Sequence, residues 1–335
     1  MRPAFLPRLV NSPFGDPGLY LSFAFQRQAV LFDAGDLSAL SSRDILKIDN
    51  IFISHTHMDH FCGFDQVLRV SLGRNKRIQV FGPDGFISHL SSKLSAYQWN
   101  LVDNFNDNLT LVATEITDSC MKTQTFHCRD GFIARDVPLE SPFTGILLET
   151  PVFNVTAAIL DHQIPCLAFS LRERFHVNIL KPALTDLGLR PGPWLKTFKD
   201  DLFCKRPPET IIEIPASHTT ASPKIFSLDE LTRKIVRITA GQQVTYVTDA
   251  GFTATNQARI IALSDGADHL FIEAAFLDND RRIAEKKHHL TARQAGYLAA
   301  RASVKKYTVF HFSPRYSDRA DDIYHEARAA FLAGC

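Results

Sequence analysis

Ser54-His55-Thr56-His57-Met58-Asp59-His60 places four metal-capable side chains within six residues. The stretch follows a short apolar run, Ile51-Phe52-Ile53, that reads as a buried strand running out into a loop. Neither the helical nor the strand period puts all four side chains on one face, so the loop must curl them around a common point. Imidazole and carboxylate are ligands that Zn²⁺ takes in catalytic sites. One ion cannot easily use all four donors from so tight a stretch. Two adjacent ions can, with His55 and His57 on one and Asp59 and His60 on the other. Two ions about 3.5–4 Å apart are the arrangement that clamps both oxygens of a phosphoryl displacement. The plain alternative is a polar loop with chance histidines.

Working outward, one device recurs: an apolar run ends in a metal-capable residue. Val152 to Leu160 runs into Asp161 and His162, Val244 to Val247 into Asp249, and Thr308 to Phe310 into His311. Each alone is weak, since a lone strand-end histidine is more often structural; with His55 after Ile51-Phe52-Ile53 there are four such ends, and they reinforce one another. A carboxylate such as Asp249 has two oxygens and can bridge two ions. His269 to Glu273 is a further strand ending in an acid. Thr291 is a plausible N-cap for a helix over Ala292 to Ala302. Gln28 to Phe32 reads as a strand ending in Asp33-Ala34-Gly35, where Asp33 is expected to brace a neighbouring loop rather than ligate metal. Leu19 to Phe25 also reads as a strand, and Phe64 to Leu72 and Phe86 to Leu94 as helices. The strand-rich pattern with intervening helices is that of a mixed α/β chain.

The chain has 335 residues, 45% of them hydrophobic, enough for one large domain or two modest ones. A formal net charge of +1 announces no global basic field, so any nucleic-acid binding must use a local patch. Its six cysteines, Cys62, Cys120, Cys128, Cys166, Cys204 and Cys335, are scattered and form no C-x-x-C pair. That argues against a disulfide framework and fits a reducing compartment. No apolar run approaches a membrane span. Prolines in Met1-Arg2-Pro3-Ala4-Phe5-Leu6-Pro7 speak against a signal peptide, so a cytoplasmic protein is expected.

Residues 171–208 differ in character. Arg172, Arg174, Lys181, Arg190, Lys196, Lys199, Lys205 and Arg206 face only Glu173, Asp186, Asp200 and Asp201. Within them, Gly188-Leu189-Arg190-Pro191-Gly192-Pro193-Trp194-Leu195-Lys196 looks unlike any compact strand or helix. The expectation is a protruding basic arm on a single domain spanning 1–335; its plain alternative is a long solvated loop.

Together these residues resemble the metallo-β-lactamase superfamily and, more narrowly, its RNase Z branch, the tRNA 3′-processing endonucleases. Gly188 to Pro193 resembles that family's exosite arm. Glu273-Ala274-Ala275-Phe276 with His289-Leu290-Thr291 resembles its paired HEAT and HST motifs, and His311-Phe312-Ser313-Pro314-Arg315-Tyr316 resembles its last motif. Departures are Gly63-Phe64-Asp65 for Gly-Leu-Pro, Asp33 to Ser38 for Cys-Gly-Glu-Gly-Thr-Gln, Leu290 for the serine of HST, and Ala168-Phe169-Ser170-Leu171 for Gly-Tyr-Arg. They read as lost substrate-facing positions, which leaves hydrolysis better supported than tRNA specificity.

The resemblance implies a four-layer αββα sandwich holding two divalent ions, zinc or else manganese. One ion takes His55, His57, His162 and Asp249; the other takes Asp59, His60, His311 and the shared Asp249. It implies that a hydroxide between the ions attacks the phosphorus, that Asp59 orients it, and that His289 paired with Glu273 protonates the leaving group or stabilises the charged state. Arg315 and Ser313 would touch phosphate. Lys196, Lys199, Gly192 and Pro193 would contact the substrate, precursor tRNA or another RNA, from an arm that in a homodimer works on the partner's site. The rivals are a hydrolase of the same fold acting on cyclic nucleotides or other small phosphodiesters, and a catalytically inert RNA-binding subunit.

Overall fold

The computed structural model describes residues 4–24, 26–215 and 222–334, apart from the side chain of Asp103. Met1 to Pro3, Phe25 and Cys335, which carried sequence readings, lie outside the described residues. The chain divides into a larger unit, Phe5–Leu148, Val155–Leu171 and Gln243–Cys335, and a smaller one built chiefly from Glu149–Asn154 and Arg172–Gln242.

In the larger unit, eight strands lie side by side in chain order: Phe5–Leu9, Leu19–Phe23, Ala29–Phe32, Ile48–Phe52, Arg77–Pro83, Thr110–Ile116, Cys120–His127 and Leu139–Pro142. The four central strands are parallel and the flanking ones antiparallel. Parallel neighbours need crossovers, and helices Phe64–Ser71 and Phe86–Ser95 provide two of them. The period of two then splits the strands into two faces. Leu31, Ile51, Ile53 and Val80 pack on Phe64, Leu68, Phe86 and Leu90 of those helices. Phe32 and Phe52 point the other way, onto a second sheet. Phe32 stacks on Phe169 with ring centroids 5.2 Å apart and lies 5.8 Å from Tyr246.

That second sheet has the order Tyr307–Phe310, His269–Glu273, Gln243–Val247, Pro165–Glu173, Phe153–Asp161, Ile146–Glu149. Its outer face, including Val247, Leu270, Ile272 and Val309, packs on helices Ala254–Ser264, Ala292–Arg301 and Ala320–Ala333. The layers are therefore helix, sheet, sheet, helix, as the resemblance implies. Thr291 caps its helix with a full capping box, its hydroxyl accepting from Gln294 N.

The smaller unit departs from the expected arm. Two antiparallel ladders, His176–Ile179 with Val236–Thr239 and Ile211–Ile214 with Lys224–Ser227, combine with helices Lys181–Asp186, Trp194–Phe203 and Leu228–Ile235. Leu184, Leu189, Trp194, Phe198, Ile212 and Leu231 form its own core. The Gly-Pro stretch ends by starting a helix at Trp194, because Pro193 at the N-cap loses no helical hydrogen bond and the Trp194 and Phe198 rings bury on one face. A compact unit thus replaces a loop, and it extends to residue 242 rather than 208.

Candidate metal centre

Parallel strands end on the same edge, and here that edge collects the donors. Gln243–Val247, His269–Glu273 and Tyr307–Phe310 are parallel neighbours, with Val247 opposite Ile272 and Glu273 opposite Phe310. Their ends deliver Asp249, Glu273 and His311 together. Phe153–Asp161 delivers His162, and the loop after Ile48–Phe52 delivers His55, His57, Asp59 and His60.

Asp249 lies at the centre and is 2% exposed. Its Oδ2 is 3.7 Å from His55 Nε2 and 3.4 Å from His162 Nε2. Its Oδ1 is 3.5 Å from His60 Nε2 and 3.1 Å from His311 Nδ1. Asp59 Oδ2 closes the second group, 3.4 Å from His60 Nε2 and 3.3 Å from His311 Nε2. His57, more exposed, completes the first; the donor atoms of His55, His57, His162 and Asp249 all lie within 4.8 Å of one another. All seven residues expected as ligands are brought together, in two groups that share one carboxylate.

The donors fit divalent cations on two observations. His55 Nε2, His60 Nε2 and His311 Nδ1 are buried without a hydrogen-bond partner, and all three face Asp249. Such orphans call for an explanation, and a cation satisfies a lone pair. The far ring nitrogens are also anchored. His60 Nδ1 donates to Asp33 Oδ2 at 2.9 Å and His162 Nδ1 to the His288 carbonyl at 2.8 Å, which leaves Nε2 as the ligating atom of each neutral ring. Burial, together with the His60 charge, pushes His55 down to about 2, against the pull of Asp249, so its lone pair stays free. Burial opposes charge on His60 too, but the Asp249 and Asp33 carboxylates outweigh it and hold the ring at about 10. Burial would raise Asp249, yet the His311 and His60 charges keep its carboxyl well below the usual range. A cation would take over the neutralising role that these imidazolium protons fill.

Asp33 braces the loop as expected. It accepts from Ser54 N at 2.7 Å, Ser54 Oγ at 2.8 Å and Tyr246 OH at 2.9 Å, besides His60. Two glycines bring the Asp33 turn against the histidine loop: Gly63 N donates to Ala34 O, and Ala34 N to His60 O. A Cβ on Gly63 would overlap the Gly35 carbonyl oxygen, and one on Gly35 the carbonyls of Asp59 and Pro17. The Tyr246 hydroxyl and the His288 carbonyl were missed from sequence. A tyrosine in the buried strand Gln243–Val247 was the available signal, since a buried hydroxyl needs a partner; a backbone carbonyl leaves none.

His289 sits beside the cluster. Its Nδ1 is 2.9 Å from Glu273 Oε2, while Glu273 Oε1 accepts from Ala250 N and Leu290 N. Burial disfavours charge on either partner, but each holds the other ionised: His289 is raised and Glu273 lowered. Leu290 contributes only its amide here, its side chain being fully buried in the helix-side core. Ala168 and Phe169 are likewise buried, Phe169 between the two sheets. These departures from the family pattern are core positions, which corrects their reading as lost substrate-facing residues.

None of the remaining expected contacts is a member of the donor groups. Ser313 N donates to Ala275 O, and exposed Arg315 stands 3.9 Å from Asp280 Oδ2. In the smaller unit, Lys196 pairs with Asp200 at 2.9 Å, and burial lowers Lys199 against the pull of Glu173. Gly192 and Pro193 line a cavity of about 160 Å³ with Trp194, Ile214 and Lys224.

The beta-lactamase superfamily domain matches residues 27–153. A ribonuclease Z of Deinococcus radiodurans is 34% identical over 310 residues, covering 91% of this chain and 88% of the relative. The chain belongs to the ribonuclease Z family. Human tRNase Z, short form, superposes with a TM-score of 0.51 at 18% identity, covering 94% of this chain and 93% of that one. Unliganded yeast PDE1 superposes with a TM-score of 0.53 at 7% identity, covering 99% and 93%. At these identities both likenesses show the shared metallo-β-lactamase fold. No helix among the described residues is long and apolar enough to cross a membrane, and the five described cysteines are free thiols.

Proposed function

We propose that this ribonuclease Z family member is a dinuclear-metal endoribonuclease that removes 3′ trailers from precursor tRNA. The observation that carries the chemistry is Asp249, whose Oδ2 faces His55 and His162 while its Oδ1 faces His60 and His311. One carboxylate turned to two donor groups suits two cations held side by side. His55, His57 and His162 would hold one and Asp59, His60 and His311 the other, with zinc favoured by imidazole-rich ligation and manganese second. When bound, such ions supply Lewis acidity at a phosphoryl group and a water acidic enough to react near neutral pH.

The chain's own residues do the rest. Asp59 turns one oxygen to His60 and His311, which leaves the other to orient the attacking group. Glu273 holds His289 protonated and fixes its ring, so its other nitrogen can give a proton to the departing 3′ oxygen. Arg315 and Ser313 contact phosphate. Grip on the folded RNA falls to the smaller unit, where Lys196, Lys199, Lys205 and Arg206 concentrate positive charge beside the Gly192-Pro193 turn. Relatives named ribonuclease Z support this substrate. The reading includes a homodimer working in a reducing cytoplasm, in keeping with the free thiols.

The test is cleavage of a precursor tRNA bearing a 3′ trailer, mapped to the nucleotide, beside hydrolysis of a bis-aryl phosphodiester. A single cut at the trailer junction is expected. Hydrolysis of the small ester with the tRNA left intact would overturn the substrate and keep the chemistry.

A further inference from the structure

Asn256 lies in the first turn of helix Ala254–Ser264 and is 1% exposed. Its backbone amide donates to the N-cap hydroxyl of Thr253 at 3.1 Å, which fixes where its side chain starts. The carboxamide then reaches two loops of the metal centre. Its Oδ1 accepts from Asp161 N at 3.0 Å, and its Nδ2 donates to Asp161 O at 2.9 Å and to Gly251 O at 2.8 Å. Asp161 precedes His162, and Gly251 follows Asp249 by two residues. A direct bond from Gly251 N to Asp161 O, 3.0 Å, completes the tie. The Asp161 carboxylate turns away, accepting from Gln163 N at 2.8 Å.

We infer that Asn256 is a positioning residue: it sets the spacing between the loop that carries His162 and the loop that carries Asp249, and with it the affinity of their donor group for a divalent cation. The inference rests on the dinuclear reading above. Both amide hydrogens and the carbonyl oxygen are engaged within the protein, and at 1% exposure the group is not open to substrate. A carboxylate in its place would set an oxygen against two carbonyls. A buried amide also stabilises any fold, so the distinguishing readout is cation affinity of the folded protein.

The experiment compares the full chain with Asn256→Asp, Asn256→Ala and Gln243→Ala. Gln243 is a buried amide at the far end of the strand that leads to Asp249, donating to Ser170 Oγ at 3.0 Å and Leu263 O at 3.1 Å. Each protein is stripped with a chelator and titrated with zinc against a chromogenic chelator. Thermal unfolding of the stripped proteins is followed in parallel. All three variants are expected to unfold at lower temperature, while only the Asn256 variants bind zinc more weakly, by about 10-fold or more. Asn256→Ala, which buries no charge, keeps the comparison open if the aspartate variant does not fold. Zinc affinity unchanged in the folded Asn256 variants overturns the inference. A wild-type protein that takes up neither zinc nor manganese overturns the functional reading and the inference together.

Discussion

His289 Nδ1 lies 2.9 Å from Glu273 Oε2, and Glu273 is fully buried. His289 also falls in one donor group with Asp249, Glu273 and His311, so the geometry alone allows it to be a ligand or a proton donor. The proton-donor role predicts that His289→Ala keeps its metal and loses about 10²–10⁴-fold in kcat. Metal analysis beside single-turnover cleavage checks this. Metal lost in proportion to activity would move His289 into the ligand set.

Asp249 faces both donor groups, so its removal acts on both. Asp249→Ala is expected to leave the protein with almost no bound metal after dialysis, and no cleavage of either substrate. Elemental analysis of the purified variant decides the matter. A variant that kept one ion and measurable turnover would refute the shared role.

Asp33 gathers three hydroxyl or amide donors and the His60 ring in a fully buried position. Tyr246→Phe removes one of those bonds and should cost about 1–2 kcal/mol. Asp33→Ala strips the partner from a buried imidazolium and should cost about 3–5 kcal/mol. Urea unfolding measures both; equal, small effects would show that the network does not hold the loop.

RNA grip by the smaller unit is best tested without deleting it. Excising the Gly-Pro stretch with its helix would remove Trp194 and Phe198 from a packed core and unfold the unit. Charge reversal at exposed Arg190 and Lys205 avoids this. The double variant should lose about 10-fold or more in kcat/KM for precursor tRNA and show a shallower salt dependence, with bis-aryl ester hydrolysis unchanged. Parallel losses on both substrates would dismiss the division of labour.

Stability should fall on acidification partly through His269. Burial, with the Lys306 charge adding to it, lowers this ring from the usual 6.5 to about 4, and its Nε2 pairs with Thr308 Oγ1 at 2.8 Å. A depressed imidazole pKa means that the unfolded chain binds the proton first. Its contribution is therefore intact above pH 6.5 and is lost as pH falls from there towards 4. His269→Gln should narrow the gap between unfolding free energies at about pH 7 and about pH 5. An unchanged gap would place the acid sensitivity elsewhere.

Four of the ligands were legible because each marks where an apolar run stops, and a strand's end is a local property. His55, His162, Asp249 and His311 could be picked out one by one, and the parallel arrangement brought the ends carrying Asp249 and His311 to one edge beside Glu273. What joins distant segments was not legible. Tyr246 meets Asp33 across 213 residues, and nothing near Tyr246 names that partner. The Gly188–Trp194 stretch misled for a different reason. Its glycines and prolines forbid regular structure locally, yet they deliver Trp194 to a core assembled from Leu184, Ile212 and Leu231. Leu290 misled because only its amide is used, and an amide leaves no trace in residue identity.

The contact between Gly63 and the Gly35 carbonyl has a consequence for mutational surveys. Neither glycine carries a functional group, yet an added methyl at either one would lever the histidine loop away from the Asp33 turn. A screen scored only by product formed would rank these two positions with His60 and Asp249. Scored by protein abundance as well, it would separate a chemical defect from a displaced backbone, and the two glycines would fall on the other side of that line from His289.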